Sequence, residues 1–203
     1  MEILLIRHGE SEADLRNVHE GRADFHLTAE GLEQAQLLAK WVTTNYPPEF
    51  IWSSPLRRAI QVADVLSSTL SISLQTHDGL MEWNNGVLAG MDREEALRVY
   101  PEPVGGRKPH EAVPSGESPL EFRGRVEICF SEIISRSSTF HRIAVISHGG
   151  TISHLIASFL GLPMVSQCRF ATGNTGCHLL TLNGAERSIR FMNRQDHLFP
   201  TVH

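Results

Sequence analysis

The chain has 203 residues, 41% of them apolar and 20% charged, which is too long for a disulfide-stapled miniprotein and too apolar for a disordered chain. One domain over residues 1–203 is therefore expected. Eighteen basic against 23 acidic residues leave a net charge of −5 with histidines neutral, which excludes the broad basic footprint of a nucleic-acid binder. Cys129, Cys168 and Cys177 form no Cys-x-x-Cys pair, and no apolar run approaches membrane-spanning length, so a cytoplasmic chain with reduced thiols, and no membrane partner, is expected.

Residues 2–7 open with an apolar run suited to a buried strand. From Thr28, a plausible helix cap, Leu32, Ala35, Leu38, Ala39 and Val42 recur at helical spacing until Pro47-Pro48. Phe50, Ile51 and Trp52 make a second strand ending in Ser53-Ser54. The next helix is expected to take Ser54 as its cap and Pro55 as its first residue, with Leu56, Ala59, Ile60, Ala63 and Leu66 on its inner face. Residues 72–75 read as a short third strand, and residues 84–90 and 101–119 as loops. Ser118-Pro119-Leu120-Glu121 reads as a capping box opening a helix to about Ile134. Ile143 to Ile146 form another strand, followed after Ser147-His148-Gly149-Gly150 by a helix that stops at Gly161. Runs at 177–182 and 188–192, around Asn183-Gly184, suggest a hairpin. Residues 195–203 read either as a loose tail or as a segment folding over the site through His197. Strands alternating with helices predict an α/β domain with a mainly parallel sheet.

In such folds ligands sit where strands end and helices begin. The first strand ends in Arg7-His8-Gly9-Glu10-Ser11, the second leads to Arg57-Arg58, and the strand at 143–146 ends in Ser147-His148-Gly149-Gly150. Two imidazoles and two guanidinium forks converging on one sheet edge suit a phosphoryl group, whose oxygens arginine binds bidentately. A neutral imidazole can attack phosphorus directly, and a nearby carboxylic acid must then protonate the leaving alkoxide. Glycine beside each histidine lets the backbone approach the anion closely.

These segments resemble the signatures of the histidine phosphatase superfamily, the phosphoglycerate mutase-like family. Leu5-Ile6-Arg7-His8-Gly9-Glu10-Ser11 is similar to its first histidine motif, and Leu27-Thr28 with Gly31, Gln34 and Ala35 to its L-T-x-x-G-x-x-Q-A segment. Ser53-Ser54-Pro55-Leu56-Arg57-Arg58-Ala59, Leu80-Met81-Glu82 with Gly86 and Gly90, Pro114-Ser115-Gly116-Glu117-Ser118 and Val145-Ile146-Ser147-His148-Gly149-Gly150 resemble four further motifs in order. The resemblance implies a three-layer α/β/α sandwich and a phosphomonoesterase that works without a metal or other cofactor. It also implies His8 as the nucleophile that becomes phosphorylated, Arg7 and Arg58 as the clamp, His148 as a donor to the phosphoryl oxygens, and Glu82 as the proton donor. Gly9, Gly21 and Gly149 are expected to contact the substrate.

Two positions depart from the family pattern. Asp14 stands where asparagine is usual and Glu20 where glutamine is, and an ionised carboxylate cannot donate to a phosphate. Both are expected near the substrate, turned outward to Arg16 and Arg22 or paired with Arg7 and Arg58. No histidine pair has metal-ligand spacing; His148 and His154 lie 120° apart on a helix wheel. The short stretch between Gly90 and Pro114 favours a phosphatase over a phosphoglycerate mutase-type transferase, since a mutase must exclude water. That transferase and a catalytically silent phospholigand binder remain the alternatives. The substrate, a small phosphate ester or a phosphoprotein, and the oligomeric state are not legible.

Overall fold

The structure, a computed structural model, describes residues 1–199. Along the chain, β1 (Glu2–Arg7) leads through α1 (Glu12–Arg16) to α2 (Ala29–Asn45), then β2 (Phe50–Ser53), α3 (Arg57–Leu70) and β3 (Leu74–Thr76). After α4 (Arg93–Val99) come α5 (Pro119–Arg136), β4 (Arg142–Ser147), α6 (Gly149–Phe159), β5 (Cys177–Asn183) and β6 (Glu186–Arg194). The strands form one sheet in the order β3-β2-β4-β1-β5-β6. The first four are parallel, and the last two add an antiparallel edge.

Alternation along the central strands builds two cores. Ile3 and Leu5 of β1 point to one face with Trp52, Ile143 and Val145, beneath Phe122 and Val126 of α5 and Ile152 and Phe159 of α6. Leu4 and Ile6 point to the other with Ile51, Ala144 and Ile146, beneath Leu38 and Val42 of α2 and Ala59 and Leu66 of α3. The result is a three-layer α/β/α sandwich, as the motif order implies.

The caps at Thr28 and Ser118 form as expected: Thr28 Oγ1 accepts from the Gly31 N–H at 3.0 Å, and Glu121 Oε2 accepts from the Ser118 N–H at 2.7 Å. Ser54 does not take the cap position of α3: that helix starts at Arg57 with Leu56 in the cap position, and Ser54 Oγ accepts from the Leu56 N–H. The hairpin turn lies one residue later than read: Asn183 pairs with Glu186, and Gly184 supplies the positive φ of a two-residue turn. Third strand β3 falls at 74–76 rather than 72–75. Residues 196–198 form a 3-10 turn that is not loose. His197 is buried against the Trp41 ring, and its Nε2 lies 2.8 Å from Thr175 Oγ1. It packs on α2 rather than over the site; the rest of that tail, 200–203, lies outside the described residues.

Candidate active site

The parallel strands deliver their C-terminal ends to one edge, and the loop after β1 is pinned there by close backbone contact. A Cβ on Gly31 of α2 would lie 2.1 Å from the Glu10 carbonyl oxygen, and one on Gly9 would lie 2.7 Å from the Gly31 carbonyl oxygen. Gly9 therefore serves helix packing at its Cα, while its carbonyl lies 2.7 Å from His8 Nδ1. That contact places the His8 proton on Nδ1 and leaves Nε2 with its lone pair.

His8 Nε2 accepts from Arg58 Nε at 3.3 Å. Arg58 is held by its other two nitrogens, Nη1 on the Ala23 carbonyl at 2.9 Å and Nη2 on the Gly21 carbonyl at 2.8 Å. Neighbouring Arg57 faces solvent, where it pairs with Asp24. The His148 ring stands 5.1 Å from that of His8, and a Cβ on Gly149 would lie 3.9 Å from Arg7 Nε. Glu82 reaches the first turn of α6: its Oε2 accepts from the Gly150 N–H at 2.9 Å and its Oε1 from the Trp83 N–H at 2.8 Å. Arg7, His8, Arg58, Glu82, His148 and Gly149 thus line one locus.

Burial and cationic neighbours set the protonation states. His8 is 1% exposed and His148 fully buried. Desolvation, then Arg58 and Arg7, push the His8 imidazole well below 6.5. Desolvation, then Arg58, His8 and Arg7, do the same to His148. Both rings are neutral near neutral pH. Arg7 Nη1 is anchored on the Thr172 carbonyl at 2.8 Å. Arg7 Nε and His148 Nδ1 are buried with no hydrogen-bond partner among the described residues. Unpaired buried polar atoms are costly, and two beside one locus mark a place for an anion.

The two unusual acids part company. Asp14 turns to neither Arg16 nor Arg7: its Oδ2 accepts from the Ser11 N–H at 2.9 Å, closing the first turn of α1. A carboxylate three residues into a helix finds that donor locally. Glu20 does pair with an arginine, its Oε1 3.2 Å from Arg58 Nε, while its Oε2 lies 3.6 Å from His8 Nε2. Ser11 Oγ donates to Glu20 Oε1 at 2.5 Å. Arg22, the outward alternative for Glu20, pairs with Glu117.

Several contributors escaped the sequence reading. Ser54 Oγ lies 2.8 Å from His148 Nε2 and accepts from the Leu56 N–H at 3.3 Å. Arg125 holds the Glu82 loop through the Gly79, Met81 and Glu82 carbonyls. Ser54 lies within a family-like motif whose local pattern points only to a helix cap; Arg125 lies on a helix face with no motif signal. A cavity of about 610 Å³ opens beside the locus, its walls including Glu20, Glu82, Trp83, Tyr100, Arg107 and Gly150. Among the described residues no group of three or more His, Cys, Asp or Glu could hold a metal ion, and no helix is long and apolar enough to cross a membrane.

Fold and site together define an α/β protein with a histidine–arginine centre at the carboxyl edge of its sheet. The family model for the histidine phosphatase superfamily (branch 1) matches residues 3–195, so the chain belongs to that superfamily and is a phosphatase. It is 26% identical over 203 residues to a putative phosphoserine phosphatase 2 of Hydrogenobacter thermophilus, with 96% of each chain covered. It is 28% identical over 180 residues to a probable phosphoglycerate mutase GpmB of Proteus mirabilis, covering 86% of this chain and 81% of the other. Among solved structures, an alpha-ribazole phosphatase from Shigella flexneri superposes with a TM-score of 0.87 at 27% identity, over 96% of this chain and 97% of that one.

Proposed function

We propose that the protein hydrolyses a phosphate monoester through a phosphohistidine at His8, with no metal in the chemical steps. The observation that carries this reading is the His8 tautomer: Nδ1 is tied to the Gly9 carbonyl, and Nε2 faces Arg58 in a site where the ring stays neutral. In the first step Nε2 forms a bond to phosphorus as the ester P–O bond breaks. The leaving oxygen takes a proton from Glu82. In the second step water attacks phosphorus, Glu82 takes a proton from it, and the P–N bond breaks to restore the His8 lone pair.

Charge on the transferring oxygens is met by donors already in place. Arg58 and the unpartnered Arg7 Nε supply cationic N–H groups. The Ser54 hydroxyl, facing His148 Nε2, keeps the His148 proton on Nδ1, the atom left free to donate. Cationic donors of this kind supply what a bound metal supplies elsewhere. The cavity's volume and its Trp83 and Tyr100 walls favour a leaving group larger than a three-carbon acid, toward the nucleoside-sized group in the name of the Shigella relative.

The test is turnover of an aryl phosphate with a chelator present, and rapid-quench trapping of radiolabelled protein. Wild type should label at His8, and His8→Ala should lose activity on the order of 10⁴-fold or more. Activity within tenfold of wild type in that variant, or turnover lost to the chelator, would overturn the reading.

A further inference from the structure

Glu20 stands where the cations of the site point. Its two oxygens lie 3.2 Å from Arg58 Nε and 3.6 Å from His8 Nε2, the two atoms a transferring phosphoryl group must meet. It also lies on the cavity wall, with 18% of its side chain exposed, whereas His8 and Arg58 are buried behind it. The carboxylate is fixed in this position. Ser11 Oγ holds Oε1, and the adjoining Gly21 carbonyl is bound by Arg58 Nη2. In the resting protein Glu20 is thus the anion of the anion site.

An incoming phosphate dianion meets this carboxylate as a like charge at contact range, and two anions sharing one site cannot both stay ionised cheaply. An amide here would donate an N–H; an ionised carboxyl has nothing to donate, but a protonated one offers an O–H. The surroundings favour protonation. Arg58 on α3, Arg7 and His8 at the end of β1, and Asp14 on α1 face Glu20, and Glu82 reaches the same Arg58 from across the locus. Burial and Asp14 raise the Glu20 pKa, outweighing Arg58 and the Ser11 hydrogen bond.

We propose that Glu20 is a phosphate-binding residue in its neutral form, so that the dianion and one proton enter the site together. This rests on the phosphoryl-site reading above. The consequence is a specificity rule: the protein binds the ester as dianion plus proton, and affinity falls as pH rises through the Glu20 titration.

Inorganic sulfate, a dianion at every pH used, separates this from titration of the ligand itself. For wild type, the Kd of sulfate should weaken about tenfold per pH unit once Glu20 is ionised. Glu20→Gln should remove that dependence and bind like wild type at the acid end, where both present a neutral donor. Calorimetry of wild type in two buffers of different ionisation heat should count one proton taken up, and Glu20→Gln none. Affinity independent of pH in wild type, with no proton taken up, would show that Glu20 swings out ionised and would overturn the proposal. So would a constant offset between the two proteins at every pH, which is what a merely structural role gives. Sulfate that binds neither protein, or whose binding survives Arg58→Ala unchanged, would instead sink the phosphoryl-site reading itself.

Discussion

The strand-end cluster and the segment that covers it, from Met81 to Ser118, are built on opposite rules. At the strand ends, ladder registers fix the backbone: Arg7 is opposite Ser147 in the β1–β4 pairing, so His8 and His148 leave the sheet side by side. The cover has little regular structure beyond the short α4 and a 3-10 turn, and side chains hold it instead. Arg125 reaches two of its carbonyls, those of Met81 and Glu82, and the Gly79 carbonyl just before it, and pairs with Glu117, whose Oε1 also accepts from the Asn84 N–H. Trp83 stacks on Phe122 and donates to the Glu117 carbonyl. The histidines and arginines of the proposed chemistry sit at the sheet edge; Glu82 and the cavity walls at Trp83 and Tyr100 sit on a part held by a few side chains. Loops on a rigid scaffold are free to vary in this way.

The sharpest break in that contrast is Arg58→Ala. It removes a proposed clamp on the phosphoryl oxygens, and it leaves the Gly21 and Ala23 carbonyls and the Glu20 carboxylate without this partner. The kcat/KM should fall about 10³-fold. Stability should fall by about 3 kcal/mol, because one member of a buried charged group loses the other. If denaturant unfolding shows wild-type stability, the guanidinium is not a structural member of the strand-end cluster, and the contrast with the cover weakens.

Arg125→Ala is the matching test of the cover, with an expected loss of about 10–100-fold in kcat and a smaller change in KM, since it displaces Glu82 and leaves the cluster intact. The loss should be large for an alkyl phosphate, whose leaving oxygen needs a proton, and small for an aryl phosphate with an acidic phenol. Equal losses on both would mean that Arg125 acts through the clamp. Arg125→Lys should recover little, because one ammonium cannot span three carbonyls and a carboxylate.

The same contrast explains what could be read from the sequence. The strand-end residues were legible because strands, glycines and histidines follow one another at fixed spacing. A chain direction and a sheet edge suffice to bring Arg7, His8 and His148 together. Arg58 rather than Arg57 is what the spacing of the family motif implies, and the helix turns Arg57 to solvent. The cover's sequence predicts loops at 84–90 and 101–119; α4, capped by Asp92, falls between them, where seven residues carry no legible periodicity. Asp14 and Glu20 looked alike as acids in place of amides. What separates them is whether a local N–H is within reach. Asp14 has the Ser11 N–H; Glu20, outside any helix, has the Arg58 guanidinium and the Ser11 hydroxyl. Such competition between local and distant donors is invisible in one dimension.

The smallest effect per group, and the one that tests the scaffold rather than the chemistry, is on acid stability. Besides His8 and His148, burial pushes His154 on α6, His178 on β5 and His197 after β6 down to about 4, with nearby cations adding to the shift at His154. Each stays neutral in the folded protein while the unfolded chain takes up a proton near 6.5. Their contribution is fully present above 6.5 and is lost as pH falls, through about 4 for these three. Each adds a slope of up to about 1.4 kcal/mol per pH unit in that window. All three lie on α6, β5 and the turn after β6, not in the cover. Acid should therefore loosen the scaffold behind the site before it loosens the lid over it. His178 Nε2 lies 2.9 Å from Thr172 Oγ1, the residue whose carbonyl anchors Arg7, so this route runs directly to the clamp. Urea midpoints at about pH 7 and pH 5 should differ, and His178→Asn should reduce that difference by about one proton's worth. Midpoints unchanged between those two pH values would mean that the imidazoles find water on protonation, and that the scaffold is no more rigid than its cover.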